Sequence, residues 1–170
     1  EDSRQPVVVV LPDRIELMIV AAGAADRQAH QAAADCLRPF NSQGGNLNDL
    51  RLELQDLMWD KVGILRDAAG LETAISELDA LGDTLERTGL GDSGRVFNLT
   101  WHDWLNLDSQ ILISKTIARA ALAREDSRGA HFREDFPDTV DVENSRFTVV
   151  RADGDSLAFD TEPVDFCIVK

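Results

Sequence analysis

At 170 residues the chain can bury a real core within one domain, and its 44% hydrophobic and 28% charged content is that of an ordinary globular protein. Its 31 acidic against 17 basic side chains leave a net charge of −14, which argues against nucleic acid and anionic membranes as partners, since both require clustered positive charge. No apolar run reaches the roughly 18–20 residues that span a bilayer, and the acidic start Glu1-Asp2 does not suit a secretory leader.

Residues 1–45 read as a leader or linker. Val7–Leu11 has the composition of a short buried strand, and the Ala-rich stretch from Ala21 to Leu37 is helix-prone until Pro39, which cannot continue a helix. Asn41–Gly45 has the composition of a linker. A first strong helix starts at Asn46, a good N-cap, with Asp49 near the positive end of the dipole. Leu47, Leu50, Leu54, Leu57 and Ile64 then follow at helical spacing. Gly63 falls inside this pattern at a cost of about 1 kcal/mol against alanine, which predicts a close-packed neighbour.

A second helix is predicted from Leu71 to Arg87, with Leu71, Ile75, Leu78, Leu81 and Leu85 on one face and Gly89–Gly94 ending it. The third opens at Thr100-Trp101-His102-Asp103, a capping-box-like start. Its broad apolar face, including Trp101, Trp104, Ile111 and Ala118, reaches about Arg124. The fold class expected is therefore mainly α: a three-helix up-down-up antiparallel bundle with a small C-terminal β-hairpin appendage. The hairpin is Phe147–Arg151 and Ser156–Phe159 around Asp153-Gly154, with Phe166–Val169 as a further short strand. Residues 46–137 form the bundle and its charged end, and 138–170 the appendage.

Most motif-like strings have bland readings. Gly89-Leu90-Gly91-Asp92-Ser93-Gly94 spells GxGxxG, but it follows a polar helical segment rather than a strand, and Asp92 would repel phosphate. Asn98-Leu99-Thr100 fits a glycosylation sequon, while Thr100 is accounted for as a helix cap. His30, His102 and His131 are widely separated, and Cys36 and Cys167 form no CxxC, so neither a metal site nor a disulfide is expected. Trp59, Trp101 and Trp104 read as core or inter-domain packing. Catalytic, cofactor-binding and metal-binding residues are all expected to be none.

The ordered run Asp126-Ser127-Arg128-Gly129-Ala130-His131-Phe132-Arg133-Glu134-Asp135-Phe136-Pro137 stands where the third helix stops. On chemistry alone, Arg124 and Arg128 would stabilise the negative end of that helix and Gly129 would give a left-handed C-cap. Arg133 would pair with Asp126, Glu134 or Asp135. The alternative is a rigid loop whose Arg128, His131 and Arg133 hold another domain or approach its substrate.

This run resembles a signature near the C-terminal end of flavoproteins of the succinate dehydrogenase/fumarate reductase and L-aspartate oxidase superfamily: Glu-Ser-Arg-Gly-Ala-His, then Arg-x-Asp-(Phe/Tyr)-Pro, with Asp126 in place of the Glu. Leu54–Arg66, with its Met-Trp-Asp…Val-Gly-Ile…Arg wording, looks like the first bundle helix and is closest to L-aspartate oxidases. Leu112–Arg124 looks like the last. The Arg-Asp-Asp…Trp…His stretch of respiratory forms is replaced here by Thr139–Phe147, which favours a soluble relative.

The resemblance implies the C-terminal structural domain of a soluble, cytoplasmic FAD-dependent oxidoreductase acting on a C4 dicarboxylate. FAD would be bound by the parent and none by this chain, whose residues 1–45 are either the leader or linker read above or the departing end of the flavin domain. The resemblance further implies as partners the flavin-binding and capping domains of the same polypeptide and an iron–sulfur subunit. Arg128, His131, Arg133 and Asp135 carry over only as motif positions that contact another domain. An L-aspartate oxidase is the alternative parent, and a stand-alone helical interaction module the alternative of another class.

Overall fold

The computed structural model describes residues 6–10, 16–20, 24–153 and 156–165. It is mainly helical, with small strand pairs. In chain order the elements are β1 (Pro6–Val10), β2 (Glu16–Val20), α1 (Ala24–Cys36), a 3-10 turn (Arg38–Asn41), β3 (Gln43–Gly44), α2 (Leu47–Val62), β4 (Leu65–Arg66) and α3 (Ala68–Arg87). They continue with β5 (Thr88–Gly89), α4 (Leu99–Ala123), β6 (Phe132–Arg133), a second 3-10 turn (Val142–Asn144), β7 (Arg146–Asp153) and β8 (Ser156–Pro163). Each sheet has two strands: β1–β2 and β7–β8 antiparallel, β3–β5 and β4–β6 parallel.

The leucine spacing does what it predicts. Leu47, Leu50, Leu54 and Leu57 of α2 are buried against Leu71, Ala74, Leu78, Leu81 and Leu85 of α3. Trp104, Leu107, Ile111, Ala118 and Ala121 of α4 complete the core. Each large side chain so buried stabilises the fold by roughly 1.5–3 kcal/mol. Trp104 is fully buried, and its indole N–H donates to the carbonyls of Leu85 (3.1 Å) and Thr88 (2.8 Å), so the polar end of the ring is satisfied inside.

Several boundaries differ from expectation. The N-cap of α4 is Asn98, whose Oδ1 accepts from the Trp101 amide at 2.9 Å. Thr100 lies inside the helix. Asn98 is buried and its Nδ2 donates to the Gly94 carbonyl at 2.6 Å, so the sequon asparagine is already engaged. Gly63 is the C-cap of α2 rather than a mid-helix residue. A Cβ there would lie 2.7 Å from the Trp59 carbonyl oxygen, which is the close neighbour. Ile64, past the helix end, is exposed instead of extending the apolar face.

Asn41–Gly45 is also not a loose linker. Gln43–Gly44 pairs with Thr88–Gly89, Pro39 is buried, and Phe40 meets Trp101 edge-on at 5.1 Å. Arg38 reaches Glu86 (2.9 Å) and Asp108 (3.4 Å), tying this segment to α3 and α4. The C-terminal hairpin runs from Arg146↔Pro163 to Asp153↔Ser156, longer than the segments predicted. Asp153 is its last paired residue. Gly154, Leu11, Cys167 and the further strand expected at Phe166–Val169 lie outside the described residues.

Candidate functional site: the charged corner after α4

A helix end leaves its last carbonyls without intrahelical donors. At α4 they are satisfied by Arg133, ten residues downstream, and not by Arg124 or Arg128 as the sequence led us to expect. Arg133 Nη1 donates to the carbonyls of Ala121 (2.9 Å), Leu122 (2.9 Å) and Arg124 (3.0 Å). The guanidinium is 1% exposed and forks onto Asp135 through Nε and Nη2, both at 2.7 Å. It also lies over the Phe136 ring at 5.0 Å. A planar fork suits this position, because it can meet carbonyls on one edge and a carboxylate on the other.

Asp135 completes a second cap. Its Oδ2 accepts from the Ala68 amide at 3.0 Å, the first residue of α3. The Arg133 hydrogen bond holds its carboxyl well below the usual range, at about 2, and raises the Arg133 pKa in turn. One ion pair therefore puts positive charge on the C-terminus of α4 and negative charge on the N-terminus of α3, each at the dipole end that favours it. Of the partners offered to Arg133 by the sequence, Asp135 is the one taken. Asp126 pairs with Arg124 (2.6 Å), and this hydrogen bond lowers its pKa.

Arg128 and His131 close a tight turn: the Arg128 amide donates to the His131 carbonyl (2.8 Å), and the reverse bond is 3.1 Å. Gly129 holds φ 60° at the first central position while Ala130 does not take a positive φ, the pattern of a type II′ turn. The glycine is left-handed as expected, but in this turn and not as a helix cap. The two side chains diverge. Arg128 donates to Ser145 Oγ and to the Val140 carbonyl, both at 2.7 Å, fixing the segment that leads into β7. His131 Nδ1 meets Arg66 Nη1 at 2.7 Å. Since a guanidinium only donates, Nδ1 accepts, and burial first and Arg66 second lower the His131 pKa.

Two residues outside the expected set belong to this corner. Arg66 comes from β4, which pairs in parallel with β6, and the amides of Phe132 and Glu134 donate to the carbonyls of Ile64 (3.1 Å) and Arg66 (2.7 Å). Ser127 is 4% exposed; its Oγ accepts from the Arg133 amide and donates to the Phe136 carbonyl, each at 2.8 Å. Its place within the signature was the only sequence signal pointing to it.

The corner is a structural knot that joins the end of α4 to the start of α3. Among the described residues no group of His, Cys, Asp and Glu could hold a metal ion, and no helix is long and apolar enough to cross a membrane. FAD does not fit the glycine-rich string either. It begins inside the two-residue β5, directly after α3, and does not open a helix; Asp92 Oδ1 already accepts the Gly94 amide at 2.9 Å, an N–H that a pyrophosphate would need.

A helical domain closed by this signature corner defines a class, the C-terminal part of a flavoprotein. The fumarate reductase flavoprotein C-terminal family matches residues 51–170, and the chain belongs to it. It is 33% identical over 113 residues to an uncharacterized FAD-dependent oxidoreductase of Methanocaldococcus jannaschii, covering 65% of this chain and 20% of the relative. Over 116 residues it is 33% identical to the fumarate reductase flavoprotein of Mycobacterium tuberculosis, covering 68% and 20%. An L-aspartate oxidase of Synechocystis is 29% identical over 136 residues, covering 72% and 25%. A chain of the Mycobacterium smegmatis Sdh1 complex in the apo form superposes with a TM-score of 0.75 at 30% identity, covering 94% and 26%. The matched part of the chain thus spans a fifth to a quarter of the length of these curated relatives.

Proposed function

We propose that this chain is the C-terminal structural domain of a soluble, cytoplasmic FAD-dependent oxidoreductase that transfers hydride between flavin and a C4 dicarboxylate. Its own task is to brace the flavin-binding and capping domains of the same polypeptide, with α2, α3 and α4 as an up-down-up bundle over residues 46–137 and the hairpin as an appendage. An iron–sulfur subunit is a further candidate partner. The observation that carries this reading is the family match over 51–170, joined to relatives of which the chain covers about a fifth. The chain's own contribution is stiffness. Arg133 and Asp135 lock the end of α4 to the start of α3, and Arg128 and His131 fasten the flanking segments.

A parent L-aspartate oxidase is the second reading, favoured by the Met58-Trp59-Asp60 to Arg66 wording. The experiment is to purify the full-length parent, record its flavin absorbance, and assay it with fumarate, succinate and aspartate. Flavin with fumarate or succinate turnover supports the first reading, and aspartate oxidation the second. A colourless parent overturns both and leaves the stand-alone interaction module.

A further inference from the structure

An open groove of about 710 Å³ runs along the end of α2 and β4, lined by the apolar Trp59, Val62, Ile64 and Leu65 together with the charged Asp60 and Arg66. Trp59 is 82% exposed, Ile64 and Leu65 64% each, and Phe132, which pairs with Leu65 across β4–β6, 36%. Single exposed hydrophobes need no explanation, whereas a contiguous group of this size marks an interaction surface. Trp59 is the natural anchor, because tryptophan dominates the energetics of interfaces.

The backbone beneath the patch is fixed from behind. Phe132 and Glu134 donate to the carbonyls of Ile64 and Arg66, while Arg133, the next residue along β6, is buried in the knot. Side chains alternate along a strand, so the pairing that buries Arg133 turns Phe132 outward. The signature thereby holds the patch in a set shape, and a preorganised surface loses little entropy on binding.

From this geometry we infer that the FAD-binding part of the parent polypeptide seats on the groove and covers Trp59, Ile64, Leu65 and Phe132. The inference rests on the reading above. About four-fifths of the length of the relatives lies outside the part matched here, which supplies an occupant on the same polypeptide. A second copy is a poor occupant. Asp49, Glu53, Asp56 and Asp60 form an exposed acidic row on α2 beside Trp59, and two such rows on chains of charge −14 would repel. The covering surface is therefore apolar opposite Trp59 and Leu65 and basic opposite the row.

Hydroxyl-radical footprinting of this chain and of the full-length parent tests the assignment. Oxidation of Trp59 and Leu65 falls about tenfold or more in the parent, as for an anchor in a desolvated pocket. Leu65→Asp leaves the melting temperature of this chain unchanged, since Leu65 is exposed here, but restores Trp59 oxidation in the parent. A parent that contains FAD yet oxidises Trp59 as fast as this chain does overturns the docking face and leaves the proposed function standing. A parent without flavin overturns the proposed function and the docking face together. Concentration-dependent protection of Trp59 in this chain alone, with a dimer in sedimentation, assigns the groove to a second copy and also overturns the inference.

Discussion

Arg133→Met tests the knot most directly. The substitution keeps an unbranched side chain in a site that is 1% exposed, but it removes the fork. The carbonyls of Ala121, Leu122 and Arg124 lose their charged donor together. Hydrogen bonds to charged groups contribute about 1.5–3 kcal/mol each, and three that share one nitrogen do not add. Asp135, whose side chain is 31% exposed, is rehydrated by solvent when its partner is lost. The sum is a loss of about 3 kcal/mol, at the lower end for removing one member of a buried pair. For a domain of this size it lowers the melting temperature by roughly 10 °C. Thermal and urea unfolding of the wild type, Arg133→Met and Arg133→Lys measure it. Lysine keeps the charge without the fork, so Arg133→Lys falls between the other two. A melting temperature for Arg133→Met equal to the wild type would refute the reasoning, and full rescue by lysine would show that charge alone suffices.

Four further outcomes follow from the same contacts. The Asp135 carboxyl, held at about 2 against an ordinary 3.8, stabilises the fold fully above about pH 4, and that stability is lost as pH falls from 4 toward 2; Asp135→Asn flattens this part of the acid-unfolding curve. For His131, burial and Arg66 depress the pKa, so the unfolded chain binds the proton first and stability falls as pH drops below 6.5. Arg66→Gln moves the imidazole titration, followed by NMR, back upward. Gly129→Ala forces a Cβ into a left-handed conformation with no steric neighbour, so strain alone costs about 1–2 kcal/mol, and Gly129→Asn restores part of it in urea unfolding. Gly63→Ala drives its Cβ onto the Trp59 carbonyl and destabilises by roughly 1–3 kcal/mol in the same assay; an unshifted midpoint would mean that the α2 terminus relaxes freely.

What could be read from the sequence was what is local. Leucines three and four apart placed the buried faces of α2 and α3, and Asn46 announced the start of α2 because a cap acts within three residues. The pair Asp153-Gly154 between two β-prone segments announced the hairpin. The misses share a cause. Gly63, Ile64 and Thr100 fit a helical period that the chain abandons or enters elsewhere, and period alone does not say where. The strands β3 to β6 are two residues long and exist only through partners far away in the chain, so no local propensity marks them. Arg133 lay in the singled-out run, yet its work on α4 needed a chain reversal at Gly129, and Asp135 reaches Ala68 across 67 residues.

That last separation has a kinetic consequence. Joining residues 67 apart demands loop-closure entropy that helices do not, so the α-helices can form early while β4 and β6 must wait for the chain between them to compact. The knot is accordingly among the last parts to assemble, and Leu65 and Phe132 come side by side only when it does. A chain stalled during refolding would carry its helices but lack the platform on which the proposed docking depends.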